Sequence, residues 1–203
     1  MLTELLKILD LKNFIYLNEK PQIREIFTLI FPEFLNLKRL EKLIEICDYS
    51  NLNRNLILAT LLIDDKDSHE YFEHKYNISN TMKENLNLYS ENLKVIGKNK
   101  DFFHKNLEKN IYHNGKNHLI DLNILNFVIN TKVKFEDFSE ILKKILKSRT
   151  YKFKIDGKYL MKNGMKQGAL MGKVLKKIEE EWINNNFKIK KDRVKEIIKL
   201  YSN

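Results

Sequence analysis

The sequence is poor in the residues that shape turns and cross-links. Its 203 residues include two prolines, six glycines and one cysteine. So few turn formers exclude a strand-rich sandwich or barrel, which needs a turn signal about every ten residues. The lone Cys47 excludes an internal disulfide framework and fits a reducing compartment. Long apolar runs are missing too. The longest, Leu56 to Ile63, has eight residues and is interrupted by Thr60, far below the ~18 that a membrane span requires. The opening MLTELLKILDLK has no basic leader and carries Glu4 inside its apolar stretch, so no secretory signal is expected there. These absences point to a cytoplasmic chain with no membrane partner.

What is present is a core-forming composition, 43% hydrophobic and 11% aromatic, which excludes a disordered chain. Apolar residues recur every three to four positions nearly throughout, the period of amphipathic helices. Leu2, Leu5, Leu6 and Leu9 open the series. Pro21 starts a helix that runs to about Phe31, since proline suits the first helical turn, and Pro32 ends it. Cys47 closes the stripe Leu37, Leu40, Leu43, Ile44 and reads as a small core residue. Asn53 begins a strongly apolar helix to Ile63, and Ser79 is a candidate cap for another that carries Met82, Leu86, Leu88 and Leu93. Asn114-Gly115 reads as a helix end between two helices, because these residues tolerate the left-handed conformation such an end adopts. Tyr151 to Ile155 is a candidate extended run. The fold class is therefore all-α: a multi-helix body, residues 1–132, and a small basic tail domain, residues 133–203.

Charge divides the chain more sharply than pattern does. Met1 to Leu146 holds 21 basic and 21 acidic residues, whereas Lys147 to Asn203 holds 16 basic and 6 acidic, which is the whole net charge of +10. An AT-rich coding bias explains many lysines but not their segregation. A neutral body with a basic end points to a polyanion partner, a nucleic-acid surface rather than a merely solvated one.

Within that end, Gly157, Gly164, Gly168 and Gly172 fall in sixteen positions. A helix from Ala169 to Phe187 would place Lys173, Lys176 and Lys177 on one face, and Met171, Val174, Leu175, Ile178 and Trp182 on the other. Its start, beside Gly168, offers free backbone N–H groups and the positive dipole end to an anion. Lys158, Lys162 and Lys166 precede it. Lys158, Lys162, Lys166, Gly168, Lys173, Lys176 and Lys177 are thus the expected phosphate-binding residues. Helix–helix packing through Gly168 and Gly172 is the alternative reading of those glycines, and Trp182 reads as core.

The tail residues also resemble a known family. Phe153-Lys154-Ile155-Asp156-Gly157-Lys158-Tyr159-Leu160-Met161 is similar to F-P-I-x-G-x-D-L-M. Gly164-Met165-Lys166-Gln167-Gly168-Ala169-Leu170-Met171-Gly172-Lys173-Val174-Leu175 is similar to G-L-K-x-G-P-x-I-G-K-x-L. Both stretches occur in the C-terminal region of class II tRNA nucleotidyltransferases and bacterial poly(A) polymerases. Lys154, Tyr159 and Ala169 depart from the pattern. Weaker likenesses lie in Glu4 to Leu9, in Tyr76-Asn77-Ile78-Ser79-Asn80 with Leu86, and in Tyr112-His113-Asn114-Gly115-Lys116 with Asp121-Leu122.

The resemblance implies the body and tail of such an enzyme, which hold RNA, tRNA in particular, while a head domain adds nucleotides to its 3′ end. The head's glycine turn followed by an Asp-x-Asp pair is not found, since no glycine precedes Gly97. Asp65-Lys66-Asp67 reads as a solvated helix end. The neck's Glu-Asp-x-x-Arg motif is missing as well. No catalytic residue and no activity in isolation are expected, and Mg²⁺ and a nucleoside triphosphate would enter only through a head on another chain.

Other chemistry is excluded by spacing. His69 and His74 in His69-Glu70-Tyr71-Phe72-Glu73-His74 are five apart, about 140° around a helix, so they do not share a metal. Ile63 stands before Asp64 where a His-Asp phosphohydrolase motif needs histidine. The competing expectation is a non-catalytic helical interaction module or a remnant without activity, exposing Leu2, Leu5, Phe14, Ile15 and Tyr16 as an apolar docking edge.

Overall fold

The computed structural model describes residues 2–10, 14, 20–48, 52–99 and 101–202. Among them are twelve helices and no strand, so the all-α class holds. The chain forms two compact units, Met1–Ser148 and Arg149–Asn203.

The first unit contains α1 (Leu2–Leu9), α2 (Pro21–Ile30), α3 (Arg39–Ile46), α4 (Arg54–Leu62), α5 (Ser68–Tyr76), α6 (Asn80–Lys98), α7 (Leu107–Asn114), α8 (Lys116–Ile129) and α9 (Phe135–Lys147). Two of these are apolar on nearly every side, the pattern of a helix enclosed by protein. In α4, every residue from Leu56 to Leu62 is buried. In α8, Leu119, Leu122, Ile124, Leu125, Phe127 and Val128 are buried. Helix α4 packs on α1, α3, α5, α6 and α8, while α8 packs on α3, α4, α6, α7 and α9. The amphipathic helices therefore wrap two central ones.

The helix boundaries follow from local chemistry. Asn53 Oδ1 accepts the Leu56 amide at 2.8 Å, and Ser79 Oγ accepts that of Met82 at 3.3 Å, which supplies partners for otherwise orphaned N–H groups. Pro21 occupies the first position of α2. Gly115 takes φ +83°, ending α7 while its N–H reaches the Ile111 carbonyl at 2.9 Å.

Two expectations are corrected. The boundary lies after Ser148, not at 132/133, because Phe138, Ile141 and Ile145 of α9 are buried in the first core. The apolar docking edge is not where it was expected. Leu5 and Phe14 are core residues, Leu2 packs against that core, and Ile15 and Tyr16 lie outside the described residues. The exposed apolar side chains of this region are instead Ile26, Leu29, Ile30 and Leu35.

The second unit contains α10 (Gly157–Lys162), α11 (Leu170–Asn184) and α12 (Lys191–Ser202). Its core is Leu160, Met165, Val174, Ile178, Val194, Ile197 and Ile198. Residues 151–156 form no helix and alternate in exposure. Tyr151, Phe153 and Ile155 are half-buried, and Lys152, Lys154 and Asp156 are exposed. Asp156 caps α10 by accepting the Tyr159 amide at 2.8 Å. Gly164, at φ +94°, ends it: the Gly164 N–H bonds the Met161 carbonyl and the Met165 N–H the Leu160 carbonyl, both at 3.1 Å. This is the paired bonding that a left-handed glycine permits after a helix.

Candidate nucleic-acid interface

Helix α11 runs from Leu170 to Asn184, shorter at both ends than the expected 169–187. Its end is fixed by Asn186 and Phe187, both at positive φ (52° and 58°). The two faces are as the 3.6-residue period requires. Val174 and Ile178 are buried, and Lys173, Lys176 and Lys177 are exposed. At i, i+3 and i+4 these lysines share one stripe. Lys158 and Lys162, also exposed, are four apart on α10, and Lys166 is exposed in the connecting loop. Helices α10 and α11 pack together. Among the described residues, no ion pair or side-chain hydrogen bond engages any of these six ammonium groups.

Gly168 and Gly172 are exposed, and a Cβ on either would meet nothing within 4 Å. They are not small-residue packing contacts. The close approach falls at Gly157, whose Cβ would lie 2.8 Å from Met171 Sδ. The start of α11 has no side-chain cap and no acidic residue in its first turn, and Ala169 and Leu170 are exposed. The Met171 N–H is taken by the Gly168 carbonyl at 3.1 Å, which leaves the exposed Ala169 and Leu170 N–H groups and the positive dipole end toward solvent.

Charge order along α11 opposes the helix dipole. Lysines 173, 176 and 177 occupy its first half and Glu179, Glu180 and Glu181 its second, whereas the dipole favours acids first and bases last. The i,i+4 pairs Lys176/Glu180 and Lys177/Glu181 also run in the less favourable direction. Glu181 is taken up elsewhere, by a two-pronged pair with Arg193 at 2.9 Å for both bonds. That pairing holds the Glu181 carboxyl below the usual range. Within α11 the lysines thus lie in the first half and the carboxylates in the second.

Sequence reasoning missed the other side of this unit. A cavity of about 770 Å³ is walled by Tyr151, Phe153, Tyr159, Trp182 and Phe187. Trp182, expected as core, is only half-buried. The signal was present in the alternation Tyr151-Lys152-Phe153-Lys154, aromatic and basic by turns.

Among the described residues of the first unit, Asp67, His69 and Glu70 bring three potential metal-ligand atoms within 4.8 Å of one another. Asp67 is already paired with Lys94 at 3.3 Å, and the grouping includes His69 but neither His74 nor any tail residue. Asp65 and Asp67 lie in the turn between α4 and α5. A second cavity, of about 470 Å³, opens there beside Arg39, Asp64 and Lys94. Arg39 is committed to structure, donating to the carbonyls of Thr60 (3.2 Å) and Ile63 (2.7 Å) at the end of α4. Comparisons with family models, curated proteins and solved structures give no match for this chain. No helix among the described residues is long and apolar enough to cross a membrane.

Proposed function

We propose that the second unit binds RNA through its phosphates, using Lys158, Lys162, Lys166, Lys173, Lys176 and Lys177 with the backbone N–H groups beside Gly168. The observation that carries this reading is a helix start without a side-chain cap or first-turn acid, on a unit whose exposed Lys158, Lys162, Lys166, Lys173, Lys176 and Lys177 form no salt bridge. An anion at that position satisfies the N–H groups, the dipole and the ammonium groups together. The grip reads backbone charge, not sequence. With the tail motifs that resemble the nucleotidyltransferases, the target is tRNA or another RNA 3′ region. It would be positioned in the cytoplasm for nucleotide addition by a head domain elsewhere that brings Mg²⁺ and the triphosphate.

Binding of tRNA measured against salt tests this. Six neutralised phosphates give a log–log slope of about −5 on a duplex region. The variant Lys173→Glu/Lys176→Glu/Lys177→Glu should weaken binding at least tenfold and flatten the slope. A salt-independent affinity, or unchanged binding by the triple variant, refutes the reading.

A second reading, a helical protein-interaction module, draws on the exposed Ile26, Leu29, Ile30 and Leu35. Size-exclusion chromatography separates the two. Self-association without RNA affinity favours the module, and a monomer that binds RNA favours the grip.

A further inference from the structure

The aromatic cavity of the second unit has the composition of a nucleotide site. Its volume of about 770 Å³ lies within the roughly 300–1,000 Å³ of small-ligand clefts. Phe187 stacks flat on Tyr151, with centroids 3.9 Å apart and 7° between planes, and Trp182 stands edge-on to Phe187 at 5.0 Å. Phe153 flanks Trp182 at 5.3 Å. Phe187 is buried and covers one face of Tyr151, but Tyr151, Phe153 and Trp182 stay half-exposed around the opening, so the cluster leaves a cavity and not a filled core. Phe187 also holds φ 58°, a left-handed conformation that bulky residues rarely adopt. Its ring is therefore seated at the expense of local backbone strain.

The rim supplies the complementary charge. Lys152, Lys154, Lys188 and Lys191 all line the cavity and are exposed, and no carboxylate lines it. Aromatic rings inside a ring of lysines match a flat apolar base joined to a phosphate, the arrangement by which single strands are held without sequence preference. Lys173 and Trp182 are nine residues apart, half a turn around α11, so this cavity and the lysine stripe occupy opposite faces.

We infer that this cavity binds an unpaired nucleotide of a single strand, its base against the Tyr151, Phe153 and Trp182 rings and its phosphates on the four rim lysines. The inference rests on the RNA reading for the kind of polymer, but on none of the same residues.

Trp182 is the chain's single tryptophan and reports on the site directly. Titration of the full chain with hexauridylate and hexaadenylate should give saturable quenching of its emission. Lys152→Gln/Lys154→Gln/Lys188→Gln changes only exposed side chains and should weaken the quenching at least tenfold, with the circular-dichroism spectrum unchanged. An abasic hexamer with the same backbone should bind at least tenfold more weakly. The stripe variant Lys173→Glu/Lys176→Glu/Lys177→Glu should leave hexamer quenching within twofold while losing tRNA binding. Equal binding of abasic and base-bearing hexamers overturns the site, as does an absence of quenching while tRNA still binds through the stripe. A blue shift with phosphatidylglycerol vesicles but not with hexamers would assign the cavity to lipid and overturn it too.

Discussion

Asn123 Nδ2 donates a 3.0 Å hydrogen bond to the backbone carbonyl of Phe138, and Asn123 is fully buried. The bond staples α8 to α9, the pair whose contact brings residues 135–147 into the first unit. Replacing Asn123 with Ala removes a buried hydrogen bond and opens a small cavity. The expected loss is about 2–3 kcal/mol, read from urea unfolding monitored by far-ultraviolet circular dichroism. A loss below about 0.5 kcal/mol would show that the staple is dispensable.

The misplaced boundary shows where the sequence stops being informative. Helix existence was legible in the Val174/Ile178 stripe from its period, whereas the unbroken apolar run Leu56 to Leu62 has no period and was placed by its start at Asn53. Asn53, Ser79 and Gly115 were legible because capping is local chemistry. Which core a helix joins is not local: Phe135, Phe138 and Ile141 form an apolar stripe that reads the same in either unit. The lysine face could be read at 100° per residue, but its lack of partners required coordinates, as did the emptiness beside Gly168 and Gly172. The aromatic cavity depends on Tyr151 meeting Phe187 across 36 positions of chain, a contact no spacing rule reaches.

The Lys75 ammonium pairs with Glu33, whose side chain is only 2% exposed, and Tyr76 Oη donates to the same carboxylate at 3.4 Å. Hydrogen bonding to Glu33 raises the Lys75 pKa. Lys75→Met leaves the carboxylate buried without its cation. A fully buried broken pair is worth about 3–5 kcal/mol. Lys75 itself is about a third exposed, which reduces the expected loss to about 2–3 kcal/mol. Adding Glu33→Gln should recover part of that loss, and a double variant no better than the single one would contradict the account.

His118 stacks on Tyr89 with centroids 4.8 Å apart and planes 5° apart. Burial lowers its pKa from the ordinary 6.5, so the unfolded chain binds the proton more readily. Stability is then complete above about pH 6.5 and falls as pH drops through the lowered value, by at most about 1.4 kcal/mol per pH unit. Asp121, which accepts from Tyr89 Oη at 2.6 Å, is shifted the other way, burial raising its pKa above 3.8. Its contribution is present below that value and is lost as pH rises through the raised one. The histidine effect is therefore read as the difference between the native chain and His118→Phe, which should show a flatter stability profile just below pH 6.5. Parallel profiles would exclude His118 as its source.

Cys47 packs against the first core, and burial, with Asp121 nearby, pushes its thiol from 9.0 to about 11. The thiolate is the nucleophile, so alkylation near pH 8 should run about 100-fold slower than for an unperturbed thiol. Iodoacetamide labelling followed by mass spectrometry reads this rate in the folded chain, and urea should restore it. Rapid labelling of the native protein would mean that the site opens.

Gly172 lies in the first turn of α11, exposed and with nothing within 4 Å of a Cβ built on it. Glycine there gives up about 0.5–1 kcal/mol of helix stability relative to alanine, and no packing contact repays it. At 100° per residue Gly172 stands about 40° from Lys176, beside the lysine stripe. A phosphate chain drawn against that stripe would run over the bare backbone. Gly172→Ala should therefore raise the thermal midpoint of the second unit by several degrees, followed by Trp182 emission, while weakening tRNA binding severalfold. A variant that gains stability and keeps its full affinity would show that RNA does not approach the backbone at this turn.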